Sequence, residues 1–171
     1  MVTGTEVVSG MTHPQTTGSQ DSAEGQLRPR GTFLAIDLGR ARMGLAVSDA
    51  QTAMALPHSV VERKGTKKDI AGLLPLLDRL KIEGVVLGLP MEQEEQQAGS
   101  ARLCRNFALA LAAAQHRPVW LVDEADTTAE AHAELRLQGL KMARRRLQVD
   151  KHAAAVILAR FLAGMPAEKV P

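Results

Sequence analysis

The chain has 171 residues, enough for one domain with a sizeable core but too few for two ordinary enzymatic domains, so a single active site is expected. Hydrophobic residues make up 45% of the chain and charged residues 23%, as in globular proteins, and the formal net charge is only +2. Aromatic residues account for only 2%, which argues against recognition dominated by the stacking of nucleobases.

No feature of the sequence points to a membrane or to an oxidising compartment. The single cysteine, Cys104, cannot form an intramolecular disulfide, and no apolar run approaches the roughly 18 residues of a membrane helix. The first residues lack the basic start, apolar stretch and cleavage site of a signal peptide. These observations predict a cytoplasmic protein without a membrane partner.

The chain divides into one folded region and two tails. Residues 1–31 are rich in Gly, Ser, Thr, Gln and Pro, which predicts a disordered N-terminal tail. The folded domain is expected over residues 32–164, and residues 165–171 are expected to form a short C-terminal tail.

The folded region opens with three predicted strands. Residues 32–38 form a short apolar run ended by Gly39, which is typical of a strand buried on both faces. Two further runs, at residues 43–48 and 54–61, follow at the spacing of an antiparallel meander.

Helices and strands then alternate. Residues 67–81 carry leucines and isoleucine at the three- and four-residue spacing of an amphipathic helix, and residues 84–89 form a buried strand. A second helix is expected over 100–115 and a further strand over 119–122. This order is that of parallel crossover connections, so the whole pattern predicts a mixed five-stranded sheet flanked by helices.

The last third of the chain is predicted to be helical in two places. Residues 128–138 form one helix, residues 140–149 are basic and expected to be irregular, and Asp150 is expected to begin a last helix that ends at Leu162 before Gly164.

Asp37 is the first candidate for a functional role. It lies at the end of an apolar strand, where a carboxylate is unfavourable unless it is hydrogen-bonded or binds a cation. A turn-forming aspartate leading into Gly39 accounts for the same pattern equally well. Ligand sites at the carboxyl ends of central strands are nevertheless common in α/β sheets.

Asp123 and Glu124 directly follow the last predicted strand. Because successive side chains of a strand point to opposite faces, only one of the two can join a given site. The alternative is that one of them caps a helix that begins near Thr127 or Thr128.

Asp150 precedes Ala154, Ile157 and Phe161 at spacings of four, seven and eleven residues, which places it at the head of a buried helical stripe. A plain N-cap is the alternative. Three carboxylates from two strand ends and one helix can meet at one edge of a sheet, where they suit Mg²⁺ or Mn²⁺. Two such ions about 3.5–4 Å apart support phosphodiester hydrolysis.

Basic residues surround Asp150. Between residues 136 and 151 six basic side chains accompany this one acid, whereas the rest of the predicted folded region is net negative. Arg144, Arg145 and Arg146 are therefore candidates for binding a phosphate backbone. The alternative is an ordinary solvated loop.

With these residues in place, the chain resembles the YqgF family, also called RuvX, of pre-rRNA nucleases and Holliday junction resolvases related to ribonuclease H. The resemblance runs from about Thr32 to Gly164. It is carried by five ordered motifs, at residues 36–39, 42–49, 86–90, 123–131 and 149–158.

The resemblance implies a ribonuclease H-like fold in which Asp37, Glu124 and Asp150 are catalytic and bind the metal, with Asp123 the less suitable member of its pair. It implies a nucleic-acid substrate, either structured RNA or branched DNA. The residues implied or expected to contact that substrate are Arg42, Thr127, Thr128, Lys141, Arg144, Arg145 and Arg146.

Two departures from the family pattern concern substrate handling. Ala125 occupies the position after the Asp-Glu pair at which the family usually has arginine, which removes a contact to phosphate or carboxylate. Residues 91–97 are rich in Glu and Gln, and their three acids would repel a nucleic-acid backbone.

The leading hypothesis is a metal-dependent endonuclease that matures the 5′ end of pre-16S rRNA, resolves Holliday junctions, or does both. A junction resolvase is expected to be a homodimer, since it places two sites on symmetric strands. The alternative is a non-catalytic nucleic-acid-binding module with the same fold. Sugar kinases and actin-like ATPases also begin with Asp-x-Gly, but they need a duplicated domain that 171 residues cannot supply.

Overall fold

The structure, a computed structural model, describes residues 29–90, 95–123 and 142–171, with side chains except those of residues 95–98 and 142–150. The predicted disorder of the N-terminal tail up to residue 28 and the predicted helix at 128–138 lie outside these residues. In the described part of the chain, no helix combines the length and the apolar composition that a membrane crossing requires.

In the described residues, six strands form one mixed sheet between helices. The strands are β1 (Phe33–Leu38), β2 (Arg42–Ser48), β3 (Ala55–Glu62), β4 (Gly84–Leu89), β5 (Val119–Asp123) and β6 (Ala167–Lys169). The helices are α1 (Thr66–Arg79), α2 (Glu95–Ala114) and α3 (Met142–Leu162).

The strand order is β3-β2-β1-β4-β5-β6. β1, β2 and β3 pair antiparallel, whereas β1, β4 and β5 pair parallel, which confirms the predicted meander followed by crossovers.

β1 lies in the middle of the sheet because it is apolar on both faces. Leu34, Ile36 and Leu38 are buried in the larger core, which contains residues of α1 and α2. Phe33 and Ala35 are buried on the opposite face, in a smaller core built on α3. The two sides of the sheet are called the α1/α2 face and the α3 face below.

The α3 face has an aromatic cluster at the start of β1. The ring of Phe161 lies 5.2 Å from that of Phe33 and 5.1 Å from that of Trp120, between ring centroids. Gly84 makes room for the indole, since a Cβ atom at this position would clash with the ring of Trp120. This cluster fixes which part of α3 covers the beginning of β1.

The prediction that the last helix begins at Asp150 was wrong. α3 begins at Met142, so the basic stretch predicted to be irregular is helical from this residue, and Asp150 is the ninth residue of the helix. Residues 142–149 are mostly strong helix formers and include neither Gly nor Pro, so no local signal interrupts the helix. The predicted end is confirmed, because the helix stops at Leu162 and Gly164 adopts a left-handed φ of +85°. α2 likewise begins five residues before the expected Ser100.

The sheet has six strands rather than the five predicted, because part of the expected C-terminal tail joins it. β6 pairs antiparallel with β5, and Val170 is buried in the larger core. The three residues of β6 show no apolar alternation, so the local sequence does not predict a strand. β6 forms because it covers the open backbone edge of β5.

Candidate active site

Asp37 lies near the end of β1, on the α3 face, and is half-buried. Its partner across the antiparallel pair is Gly44 of β2. On the other side, Ile36 pairs with Leu87 of β4, so Gly88 follows at the level of the carboxylate. Because glycine has no side chain, β2 and β4 present backbone atoms next to Asp37 on the α3 face.

Arg42 shares this face and this edge. It is the first residue of β2, two positions before Gly44, and is half-buried. Its carbonyl accepts a hydrogen bond of 2.9 Å from the amide of Gly39, which closes the turn between β1 and β2. Because alternate residues of a strand share a face, the turn brings the positive charge of Arg42 to the side of the sheet on which Asp37 stands.

α3, the helix that contains Asp150, packs on the same face of the sheet. Phe161 packs on Phe33 at the start of β1, and Ala154 joins the cluster that contains Ala35. The eleven residues from Phe161 back to Asp150 span about 16 Å of helix. The four residues from Phe33 to Asp37 span about 13 Å of strand. α3, which packs on β1, β2 and β3, is therefore long enough to reach from the start of β1 to the level of Asp37.

This position also removes the alternative role of Asp150. An N-cap residue flanks the first turn of a helix, but Asp150 is preceded by eight helical residues. The capping explanation is therefore wrong for this residue, and position 150 precedes the buried Ala154, Ile157 and Phe161 at helical spacing.

Asp123 is on the wrong face to join Asp37. Val122 is buried in the α3-face core, and Asp123, the next residue, pairs with Leu89 on the α1/α2 face and is exposed. Of the acidic pair, the one described residue thus points away from the site.

The remaining predicted site residues are described in part or not at all. Arg144, Arg145 and Arg146 lie in the first turns of α3, but the structure does not describe their side chains. Four predicted site residues lie outside the described part of the chain, namely Glu124, Thr127, Thr128 and Lys141.

Among the side chains that the structure describes, no group of three His, Cys, Asp or Glu could hold a metal ion. Of the three predicted ligands, only Asp37 belongs to that set of side chains. Its chemistry suits a divalent cation, because a carboxylate supplies hard oxygen ligands and the two flanking glycines place no side chain beside it.

A buried ion pair lies next to the site and was not predicted from the sequence. Arg63 donates from Nε to Asp69 Oδ2 over 3.0 Å, and the other carboxylate oxygen accepts from the amide of Lys64 over 2.7 Å. The side chains of Arg63 and Asp69 are only 8% and 1% exposed. The guanidinium also lies 5.7 Å from the centroid of the Phe107 ring.

Arg63 connects this ion pair to the turn that follows Asp37. Its Nη1 donates to the carbonyl of Gly39 over 3.1 Å, and its amide donates to the carbonyl of Ala41 over 2.9 Å. A signal was present in the sequence, since Asp69 precedes Leu73 and Leu77 at four-residue spacing and so occupies the buried stripe of α1. An acid in such a stripe requires a partner.

Comparison with known proteins gives a consistent result. Residues 31–164 match the profile of a family described as RuvX: Holliday junction resolvase. A protein of Anaeromyxobacter sp. (strain Fw109-5), named "Putative pre-16S rRNA nuclease", is 42% identical over 132 residues, which are 77% of this chain and 96% of the relative. A protein of the same name from Anaeromyxobacter dehalogenans (strain 2CP-C) is 40% identical over 129 residues, which are 75% of this chain and 94% of the relative.

Among solved structures, RuvC of T. thermophilus in complex with a Holliday junction substrate matches with a TM-score of 0.55 and 22% identity. The match covers 82% of this chain and the whole of that one. At this level of identity the likeness shows a shared fold, and it confirms the ribonuclease H-like α/β architecture expected from the sequence.

Proposed function

The chain belongs to the RuvX family of Holliday junction resolvases, and from this we propose that it is a metal-dependent endonuclease acting on structured nucleic acid. Two substrates follow from its relatives. Proteins 40–42% identical over most of their length are named as pre-16S rRNA nucleases, which suggests maturation of the 5′ end of that RNA. The structural neighbour is bound to a Holliday junction, which suggests branched DNA. The expected compartment is the cytoplasm.

The observation that carries this proposal is the position of Asp37 at a strand end on the face of the sheet that α3 covers. Asp37 stands there between two glycines, and α3, which contains position 150, packs on the same face. Glu124 is the proposed third acid, and the placement of Asp123 on the opposite face supports this choice. These two strand ends and one helix are the elements from which a cation site at this edge would be built.

In this proposal Asp37, Glu124 and Asp150 hold Mg²⁺ or Mn²⁺. The bound ions would activate a water molecule and stabilise the leaving oxygen of the phosphodiester. Arg42, on the same face as Asp37, would bind a phosphate next to the scissile bond. The proposed backbone contacts further along the substrate are Thr127, Thr128, Lys141, Arg144, Arg145 and Arg146.

Cleavage assays with matched aspartate variants test the proposal. Purified protein is incubated with a four-way DNA junction and with a precursor 16S RNA fragment, in Mg²⁺ and in Mn²⁺. We expect Asp37→Asn to lower the cleavage rate by about 100-fold or more, because it removes a charged metal ligand. Asp123→Asn is the control and should leave the rate unchanged, since this carboxylate lies on the other face.

The same assay separates the two substrates. A resolvase should sediment as a homodimer in analytical ultracentrifugation and cut the junction symmetrically, whereas an RNA-processing enzyme need not be a dimer. A monomer that is inert on junctions but cuts the RNA would leave only the RNA-processing function.

The second candidate is a non-catalytic nucleic-acid-binding module with the same fold. The observation that favours it is Ala125, which stands where the family usually has arginine. This candidate holds if the protein binds nucleic acid but cleaves it no faster than Asp37→Asn does, and the enzyme proposal then fails.

A further inference from the structure

Exposed basic side chains gather at the edge of the sheet that holds Asp37, on the side of α1. Arg40 lies in the turn between β1 and β2, Lys64 in the connection from β3 to α1, and Lys67 and Lys68 in the first turn of α1. All four are exposed. This group is called the α1-side surface below.

The buried ion pair joins these segments into one surface. Arg63 is hydrogen-bonded to the carbonyls of Gly39 and Ala41 on either side of Arg40, and Asp69 accepts from the amide of Lys64. The positions of Arg40 and Lys64 are therefore held relative to each other by the fold. Asp69 is buried and paired with Arg63, so it does not neutralise the exposed cations of this surface.

Among the side chains that the structure describes, those at this edge carry an excess of positive charge. The acid exposed in the same segments is Glu62, at the end of β3, against four exposed cations and the half-buried Arg42. None of the four cations of the α1-side surface is ion-paired with another described residue. The opposite edge of the sheet carries both positive and negative side chains, and Arg117 is ion-paired there with Asp78. The accumulation of positive charge is therefore local.

The chemistry of this surface selects its ligand. Lysine and arginine side chains without aromatic neighbours bind phosphate groups rather than bases, and several of them together neutralise several phosphates. A polyanion with regularly spaced charges, such as a nucleic-acid backbone, fits four cations distributed over a turn, a loop and a helix start.

We propose that Arg40, Lys64, Lys67 and Lys68 form a second backbone-binding surface for nucleic acid, on the side of the site opposite α3. The inference rests on the proposed function in that it assigns the same substrate. It adds that the strand crosses the edge at Asp37 and is held on both sides, by the basic start of α3 and by the α1-side surface. Contacts of this kind do not depend on the base sequence.

A pair of charge-matched variants tests the inference. The first carries Arg40→Gln, Lys64→Gln, Lys67→Gln and Lys68→Gln. The control variant carries Arg30→Gln, Arg79→Gln, Lys81→Gln and Lys169→Gln, four exposed cations away from this edge. Both lose four positive charges, so a general loss of electrostatic attraction affects them equally.

Binding is measured without divalent cations, by fluorescence anisotropy, with a labelled four-way DNA junction and a labelled RNA hairpin, at several salt concentrations. For the first variant we expect an affinity about 10- to 100-fold lower at 0.1 M salt, and a salt dependence on DNA that is smaller by roughly 0.9 per lost phosphate contact. The control variant should change less than about threefold. Equal losses in both variants overturn the inference.

Two further readouts keep the outcome clear. Lys67→Glu, compared with Lys169→Glu, changes one exposed side chain only and should weaken binding more than its control even if the fourfold variant does not fold. Because binding is measured without cleavage, a wild-type protein that binds through this surface but cuts neither substrate would contradict the proposed function and leave the surface in place.

Discussion

Arg63 and Asp69 are buried together although each carries a charge, and this pair stands next to the proposed site. Desolvating two charges is unfavourable, and the pair offsets this through its hydrogen bonds to each other, to the Lys64 amide and to the Gly39 carbonyl. Arg117 and Asp78 make a similar ion pair, in which Arg117 also donates to the carbonyl of Ile82. There, however, the carboxylate side chain is 70% exposed.

Replacing the arginine of each pair should have different effects on stability. We expect Arg63→Met to lower the free energy of unfolding by about 3 kcal/mol or more, because Asp69 is left buried without its partner. Arg117→Met should lower it by about 1 kcal/mol, since water can hydrate Asp78. Urea denaturation measures both values.

The double variant Arg63→Met/Asp69→Leu tests the cause of the larger effect. It should recover much of the lost stability, because neither charge is then left unpaired in the interior. A double variant no more stable than Arg63→Met alone would show that the loss comes from packing rather than from the unpaired carboxylate.

At the scale of elements, α3 decides how the site is assembled. It packs on the face of the sheet that holds Asp37, with Phe161 in the aromatic cluster at Phe33, and eight helical residues precede Asp150. The basic residues Arg144–Arg146 are therefore part of the same rigid element as the proposed catalytic acid. Substrate contacts and catalysis would thus be coupled through one helix.

The position of Asp150 within α3 predicts the sign of a stability change. Asp150→Ala should leave the free energy of unfolding unchanged or raise it by about 0.5 kcal/mol, because alanine is the better residue in a helix interior. Loss of an N-cap would instead lower it by about 1 kcal/mol. The cleavage rate of this variant should be lower than that of the wild type, as is expected for Asp37→Asn. A destabilised variant with full activity would refute both the helix placement and the catalytic role.

At the scale of the whole molecule, one edge of the sheet combines proposed metal ligands with positive charge from two directions. The opposite edge carries side chains of both charges. It includes the turn in which Asp49 accepts hydrogen bonds from the amides of Gln51 and Thr52. Those bonds, that of Thr52 first, lower the pKa of the Asp49 carboxyl. This asymmetry between the two edges favours a single functional end of the sheet.

Binding of a divalent cation at that end should stabilise the whole fold. We expect Mn²⁺ at about 100 times its dissociation constant to raise the free energy of unfolding of the wild type by about 2.7 kcal/mol, because the folded state alone presents the site. Differential scanning calorimetry would detect this as a higher unfolding temperature. Asp123→Asn should keep the shift and Asp37→Asn should lose most of it. An equal shift in both variants would place the ion elsewhere.

The elements that depend on neighbours along the chain can be predicted from the amino-acid sequence. Apolar runs and helical spacing predict β1 to β5, α1 and most of α2, since burial and periodicity act over a few residues. The ordered motifs around Asp37, Asp123 and Asp150 identify the family, and the comparisons confirm it.

Features that depend on residues far apart in the chain are visible in the three-dimensional structure and not in the sequence. Arg63 reaches Gly39 across 24 positions, and β6 exists because the edge of β5 needs a partner. The face on which Asp123 lies follows from strand register, and the part of α3 that covers the beginning of β1 follows from the packing of Phe161 on Phe33. No local pattern contains these pairings, because contact energies between distant segments depend on how the whole chain closes around its core.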